Sequence, residues 1–276
     1  MRLPSILKRR SFLIGLLLVG TVAVAAGLAD VLAPFDPVKN NFRYRLGEPN
    51  DLHLLGTDRF GRDVLNRILF GARVSLRIGV LVVVFSGVVG GLVGLVAGWW
   101  PRADAWLMRV MDGLMAFPGI LLAIALAVTL GPSEMTAVIA LTVAYSPRTA
   151  RVMRGAVLVA RAQDYVEAAR AVGARTGRIL RHHVIPACMA PLAVQQTYIF
   201  AVAILAEAVL SFVGVGPPPP RPTLGAIIAD GRDTMVEAPW IALSPGVVIA
   251  MLVLGLNLLG DGLRDALDPR MRNTVR

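Results

Sequence analysis

The sequence predicts an all-α polytopic membrane protein with six transmembrane helices and both termini in the cytoplasm. Three observations predict it. The 276 residues are 56% hydrophobic and only 17% charged, against about 25% charged residues in soluble domains. The apolar residues gather into runs close to the ~20 needed to cross a hydrocarbon core. The ~10-residue alternation of a membrane β-barrel is missing.

The elements follow in order. Residues 1–10 are a basic cytoplasmic start, with Lys8, Arg9 and Arg10 ahead of a first span at 11–33. Residues 1–30 also have the outline of a signal peptide, ending in small residues near Ala25, Ala26 and Gly27. The apolar run is long for one and five more spans follow, so a retained first helix is expected. An external loop at 34–73 leads to a second span at 74–98, which Gly98 and Pro101 end. The third span covers 105–130; the fourth, 135–158, is the weakest because Pro147 and Arg148 interrupt it. Pro118 and Pro147 each remove a backbone donor and can kink their helices. A cytoplasmic segment at 159–186 precedes the fifth span at 187–213. The external loop 214–240 opens with the stiff run Gly216–Pro222, after which Thr223 caps a short helix bearing Leu224, Ile227 and Ile228, stopped by Gly231 and lying against the membrane or a partner. The last span is 241–262 and the cytoplasmic tail 263–276.

Arginine sets the sidedness. Arg148, Arg151, Arg154, Arg161, Arg170, Arg175, Arg178 and Arg181 crowd the region between spans four and five, and Arg264, Arg270, Arg272 and Arg276 mark the tail. Both belong in the cytoplasm. The loop 34–73 runs against this rule, holding Lys39, Arg43, Arg45, Arg59, Arg62, Arg67 and Arg73, although acidic residues interleave with them. The net charge of +10 reflects these flanking residues; no basic-aromatic platform for nucleic acid is present.

In the second span, Gly87 and Gly91, and Gly90, Gly94 and Gly98, recur at four-residue spacing. Small residues so placed let helices approach closely, within the chain or against a sister subunit. Glu207, inside the fifth span, is a candidate for the translocation path or for a helix interface. Met111 and Met115, on a methionine stripe with Met108, and Asn257 are weaker candidates of the same kind, with core packing or capping as the plainer reading. Arg109 and Asp112 have the spacing of a helix-surface ion pair. No phosphate-binding loop surrounds Lys8 or Lys39, the adjacent His182 and His183 lack zinc-protease spacing, and lone Cys188 forms no intrachain disulfide. No catalysis, no metal and no cofactor are expected in this chain.

The arginine-laced stretch Asp164–Pro186 holds Glu167-Ala168-Ala169, then Gly173, then Ile185-Pro186. This resembles the EAA motif of importer-type ABC permeases. Ile185 stands where the motif has Leu, and His183 where it has Ile, as in the dipeptide/oligopeptide/nickel branch. The stretches 53–76, 108–126, 206–216 and 255–272 resemble the same branch in the same order. The chain looks like the second permease subunit of such an importer. The resemblance implies a type I importer permease fold with one permease domain at about 72–266. It implies a heterodimer with a homologous second permease, two ATPase subunits that bind ATP and Mg, and an external solute-binding protein, in the bacterial inner membrane. It also implies that Glu167, Ala168, Ala169, Gly173, Ile185 and Pro186 couple to an ATPase. Peptides are the expected cargo; nickel chelates or glutathione share the architecture. A self-sufficient secondary transporter would show repeated halves or several midplane charges, and neither is evident.

Overall fold

The computed structural model describes residues 10–267. Lys8, Arg9, Arg270, Arg272 and Arg276, on which part of the sidedness argument rests, lie outside them. The helices are α1 (Arg10–Gly27), α2 (Ala29–Leu32), α3 (Val64–Trp99), α4 (Pro101–Met115), α5 (Gly119–Leu130), α6 (Glu134–Arg161), α7 (Asp164–Ala171), α8 (Thr176–Ile179), α9 (Ile185–Val213), α10 (Leu224–Arg232) and α11 (Trp240–Leu267). A widened π turn at Leu180–Val184 joins α8 to α9.

Glycine sets how the bundle closes. A Cβ on Gly90 would stand 2.6 Å from the Ser146 carbonyl oxygen, one on Gly94 closer still to that of Ala150, and one on Gly98 2.7 Å from Val157 Cβ. This stripe therefore packs α3 onto α6 within the chain, and the ascending register makes the two helices parallel. Gly87 and Gly91 face α9 more loosely, at 3.5 Å from Gln196 and 3.9 Å from Leu192. There the register descends, so α9 is antiparallel to α3. Gly15 meets Gly255, and Gly262 meets Phe12, which makes α1 and α11 antiparallel. Gln196 ties three helices at mid-height: Ser86 Oγ donates to its Oε1 at 3.3 Å, and its Nε2 donates to Thr149 Oγ1 at 3.1 Å.

The expected third span is broken. Its residues form α4 and α5, which meet at 88° around residues 116–118. Pro118 has no N–H to continue the ladder, and it disfavours helical backbone at Phe117. Pro147, by contrast, is buried inside an unbroken α6. By length and composition four helical stretches, Arg10–Gly27, Val64–Trp99, Thr176–Val213 and Trp240–Ala266, are apolar enough to cross a membrane, and the bent α4–α5 pair makes a fifth. Helix α6 is not among them. It packs against α3, α5 and α9 and buries much of its length, so its neighbours shield it.

At one end of the bundle the chain folds a compact cap. Helix α3 starts at Val64, ten residues before the expected span, because Asp63 caps it by accepting from the Asn66 N–H at 2.8 Å. Asp58, fully buried, receives Arg62 at 2.7 Å and Arg67 at 2.6 Å, while Asp230 of α10 receives Arg59, Arg62 and Arg67 at 3.2, 3.0 and 2.9 Å. Arg73 pairs with Asp30 at 2.9 Å. Arg59, Arg62, Arg67 and Arg73, four of the basic residues that ran against the sidedness rule, are thus paired with carboxylates. Gly61, at φ +70°, passes so close to the Asn41 carbonyl that no side chain fits. Thr223 Oγ1 accepts from the Ala226 N–H at 3.1 Å, as its capping role predicts. Helix α10 then buries Leu224 and Ile227 against α9 and α11 of its own chain; Gly231 is its penultimate residue, packed on Ala242.

Candidate functional site

The opposite end carries α7. Its first turn holds Asp164 and Glu167, the sign that the positive end of a helix dipole favours. One residue anchors it: Val166 is fully buried in a cluster with Trp99, Val157, Ala160, Ile179, Val184 and Cys188. Trp99, the last residue of α3, is flanked by two guanidiniums, Arg161 at 5.7 Å and Arg170 at 5.0 Å from the ring centre. Arg161 also donates to the Trp99 carbonyl at 3.0 Å. The ends of α3 and α6 and the body of α7 are thereby joined.

The helix stops by a Schellman closure. Ala174 N–H donates to the Ala169 carbonyl at 3.0 Å and Gly173 N–H to that of Arg170 at 2.9 Å. The turn holds Gly173 at φ +81° with open space around it. Its glycine is required by backbone conformation, not by crowding. Ala169 and Ala174 pack on the Trp99 cluster. Ala169 therefore faces its own chain. Glu167, Ala168, Ala171 and Val172 are exposed, Val172 at 84%. Ile185 is half-buried, and its N–H reaches back to the Leu180 carbonyl. This wide turn immediately precedes Pro186, which is exposed and has no N–H to offer. The His183 ring lies 5.9 Å from that of Tyr165.

The remaining candidates lie elsewhere. Glu207 is fully buried, accepting from Ser75 at 2.5 Å and Ser211 at 2.6 Å. Its place is the α3–α9 interface. Ser75 and Trp99 are both on α3, about 36 Å apart at 1.5 Å per residue, so Glu207 and α7 belong to opposite ends. Met111 and Met115 are half-buried on α4, and Asn257 is exposed, donating to the Val253 carbonyl of its own helix at 2.9 Å. The Asp112 salt bridge runs to Arg151 of α6 at 2.7 Å instead of to Arg109. The sequence reading missed Trp99, Arg161 and Gln196. Paired tryptophans at a span end were a signal for the first; nothing in one dimension tied it to arginines over sixty positions on.

Comparison with known proteins accounts for this architecture. Residues 88–273 match the family described as "Binding-protein-dependent transport system inner membrane component". A putative peptide transport system permease protein of Brucella suis is 52% identical, covering 97% of this chain and 90% of that protein. The di/tripeptide permease DppC of Pseudomonas aeruginosa is 44% identical over 95% and 88%. The glutathione permease GsiD of Pectobacterium atrosepticum is 42% identical over 91% and 88%. The inward-facing MetNI methionine ABC transporter superposes with a TM-score of 0.62 at 21% identity, covering 73% of this chain and 96% of that one, so it shares the fold. The bundle and these relatives lead to one conclusion: the chain belongs to the binding-protein-dependent transport system inner membrane components, the permease subunits of ABC importers.

Proposed function

We propose that this chain is half of the translocation path of an ATP-driven importer of di- and oligopeptides in a bacterial inner membrane. It pairs with a homologous permease, takes cargo from an external binding protein, and receives force from two ATPase subunits that hold ATP and Mg. Six crossings with both ends inside carry this role. Helix direction supports them: α3 and α6 run one way and α9 the other, and α1 and α11 run opposite to each other. Helix α7 is the contact to an ATPase. The observation that carries this is its one-sided anchoring: Val166 is buried while Glu167, Ala168, Ala171 and Val172 face out beyond the bundle. A partner that moves α7 moves α3 and α6 with it through Trp99. In the reconstituted transporter, Glu167→Arg and Gly173→Trp are expected to abolish uptake while the permease still folds and inserts. Uptake by this chain alone would overturn the reading.

A glutathione cargo is the second reading, favoured by the Pectobacterium relative. Exchanging the external binding protein is expected to redirect uptake between peptides and glutathione, because few charges line the spans to impose a choice.

A further inference from the structure

Helix α4 is held to the bundle in an unusual way. Among the described residues it has no buried side chain; Leu107, Met108, Met111, Leu114 and Met115 are only half-buried. Its other attachments are ionic. Arg154 of α6 grips Asp104 with both arms of its guanidinium, Nε to Oδ1 at 2.5 Å and Nη2 to Oδ2 at 2.6 Å. Arg151, one turn away on α6, donates to Asp112 at 2.7 Å. Met108 lies between the two pairs and lines the groove that they bracket.

The pairs are unequally spaced on the two helices. Asp104 and Asp112 are about 12 Å apart along α4, Arg151 and Arg154 about 4.5 Å apart along α6, at 1.5 Å per residue. Two attachments at different distances from the 116–118 elbow resist both sliding and swinging of α4. The elbow itself is lightly packed: Ala116, Phe117 and Pro118 are exposed, and a side chain on Gly113 would meet nothing. At its far end α6 is separated from α7 by Ala162 and Gln163 alone.

We propose that Arg154–Asp104 and Arg151–Asp112 are a positioning latch that makes α4 follow α6, so that displacement of α7 is passed to the α4–α5 elbow. Packing this sparse would let α4 lag behind; a forked arginine–carboxylate pair fixes direction as well as distance. The proposal rests on α7 being the ATPase contact, and its test separates the two.

The complete transporter is reconstituted in vesicles with its ATPases and binding protein, and uptake per ATP hydrolysed is measured. Arg154→Asp and Asp104→Arg should each lower this ratio about tenfold, and the combined exchange should restore most of it. Arg154→Lys, which keeps the charge and loses the fork, should fall between and serves if the reversals do not assemble. Glu167→Arg is run in parallel. If it leaves uptake intact, the contact at α7 is wrong. If it abolishes uptake while the Arg154 and Asp104 variants keep the wild-type ratio, or the exchange rescues nothing, the latch alone is overturned.

Discussion

Glycine and glutamate show how single residues act here through opposite means. Gly173 is wanted for its φ of +81°, with nothing around it. A side chain in the left-handed region costs about 1–2 kcal/mol, so Gly173→Ala should loosen the end of α7 without touching the bundle. Faster amide exchange at 172–174, with an unchanged melting temperature, is the expected result. Glu207 is the reverse, a side chain that no solvent reaches, satisfied by Ser75 and Ser211. Replacing it with Leu leaves two hydroxyls without their acceptor, at about 1–3 kcal/mol. The purified permease should melt at lower temperature, and Glu207→Gln should recover part of the loss. The sequence reading weighed a path against an interface for this residue. Polarity inside a span told that it mattered, but not which helix it faced.

Among elements, the α3–α6 seam shows the four-residue glycine spacing read correctly as packing, and the structure identifies the partner as the chain's own α6. Gly94→Val would drive a branched side chain against the Ala150 carbonyl, where even a Cβ would collide; overpacking of this kind costs about 1–3 kcal/mol. Gly91→Ala, with 3.9 Å to its neighbour, should be neutral. Thermal melts of the two variants check the contrast. The break between α4 and α5 was less legible. Pro118 was visible as a kink site, but 88° exceeds what one proline in a continuous helix requires. Helix α4 is also paired through Asp104 and Asp112 with Arg154 and Arg151 of α6, residues that no local pattern links to the Pro118 elbow. The short helix of the EAA segment was legible because it is local: the helix Asp164–Ala171 and its left-handed Gly173 lie within one short stretch of sequence.

At the scale of the whole molecule, the cap and the α7 end are built on different principles. The cap is ionic, with Asp58 and Asp230 clamping Arg59, Arg62 and Arg67. Removing one partner of a buried pair strands the others, at about 3–5 kcal/mol. Asp58→Ala should therefore expose the 34–63 loop to protease while α7 keeps its protection. Counting arginines by loop sets this region against the rest of the chain, since the rule sees charge and not the carboxylates that pair with it, among them Asp230, far away in sequence.

Helix α6 carries a consequence for how the protein is made. Its Arg148 and Arg154 are half-buried among the helices that stand around it, α3, α4, α5 and α9, and a nascent chain meets those neighbours one at a time. Arginine near the centre of an inserting segment is penalised by about 2.5–3.5 kcal/mol. On the six-crossing reading proposed above, this segment alone should therefore insert poorly, and insertion assayed on truncated chains should improve once α9 is included.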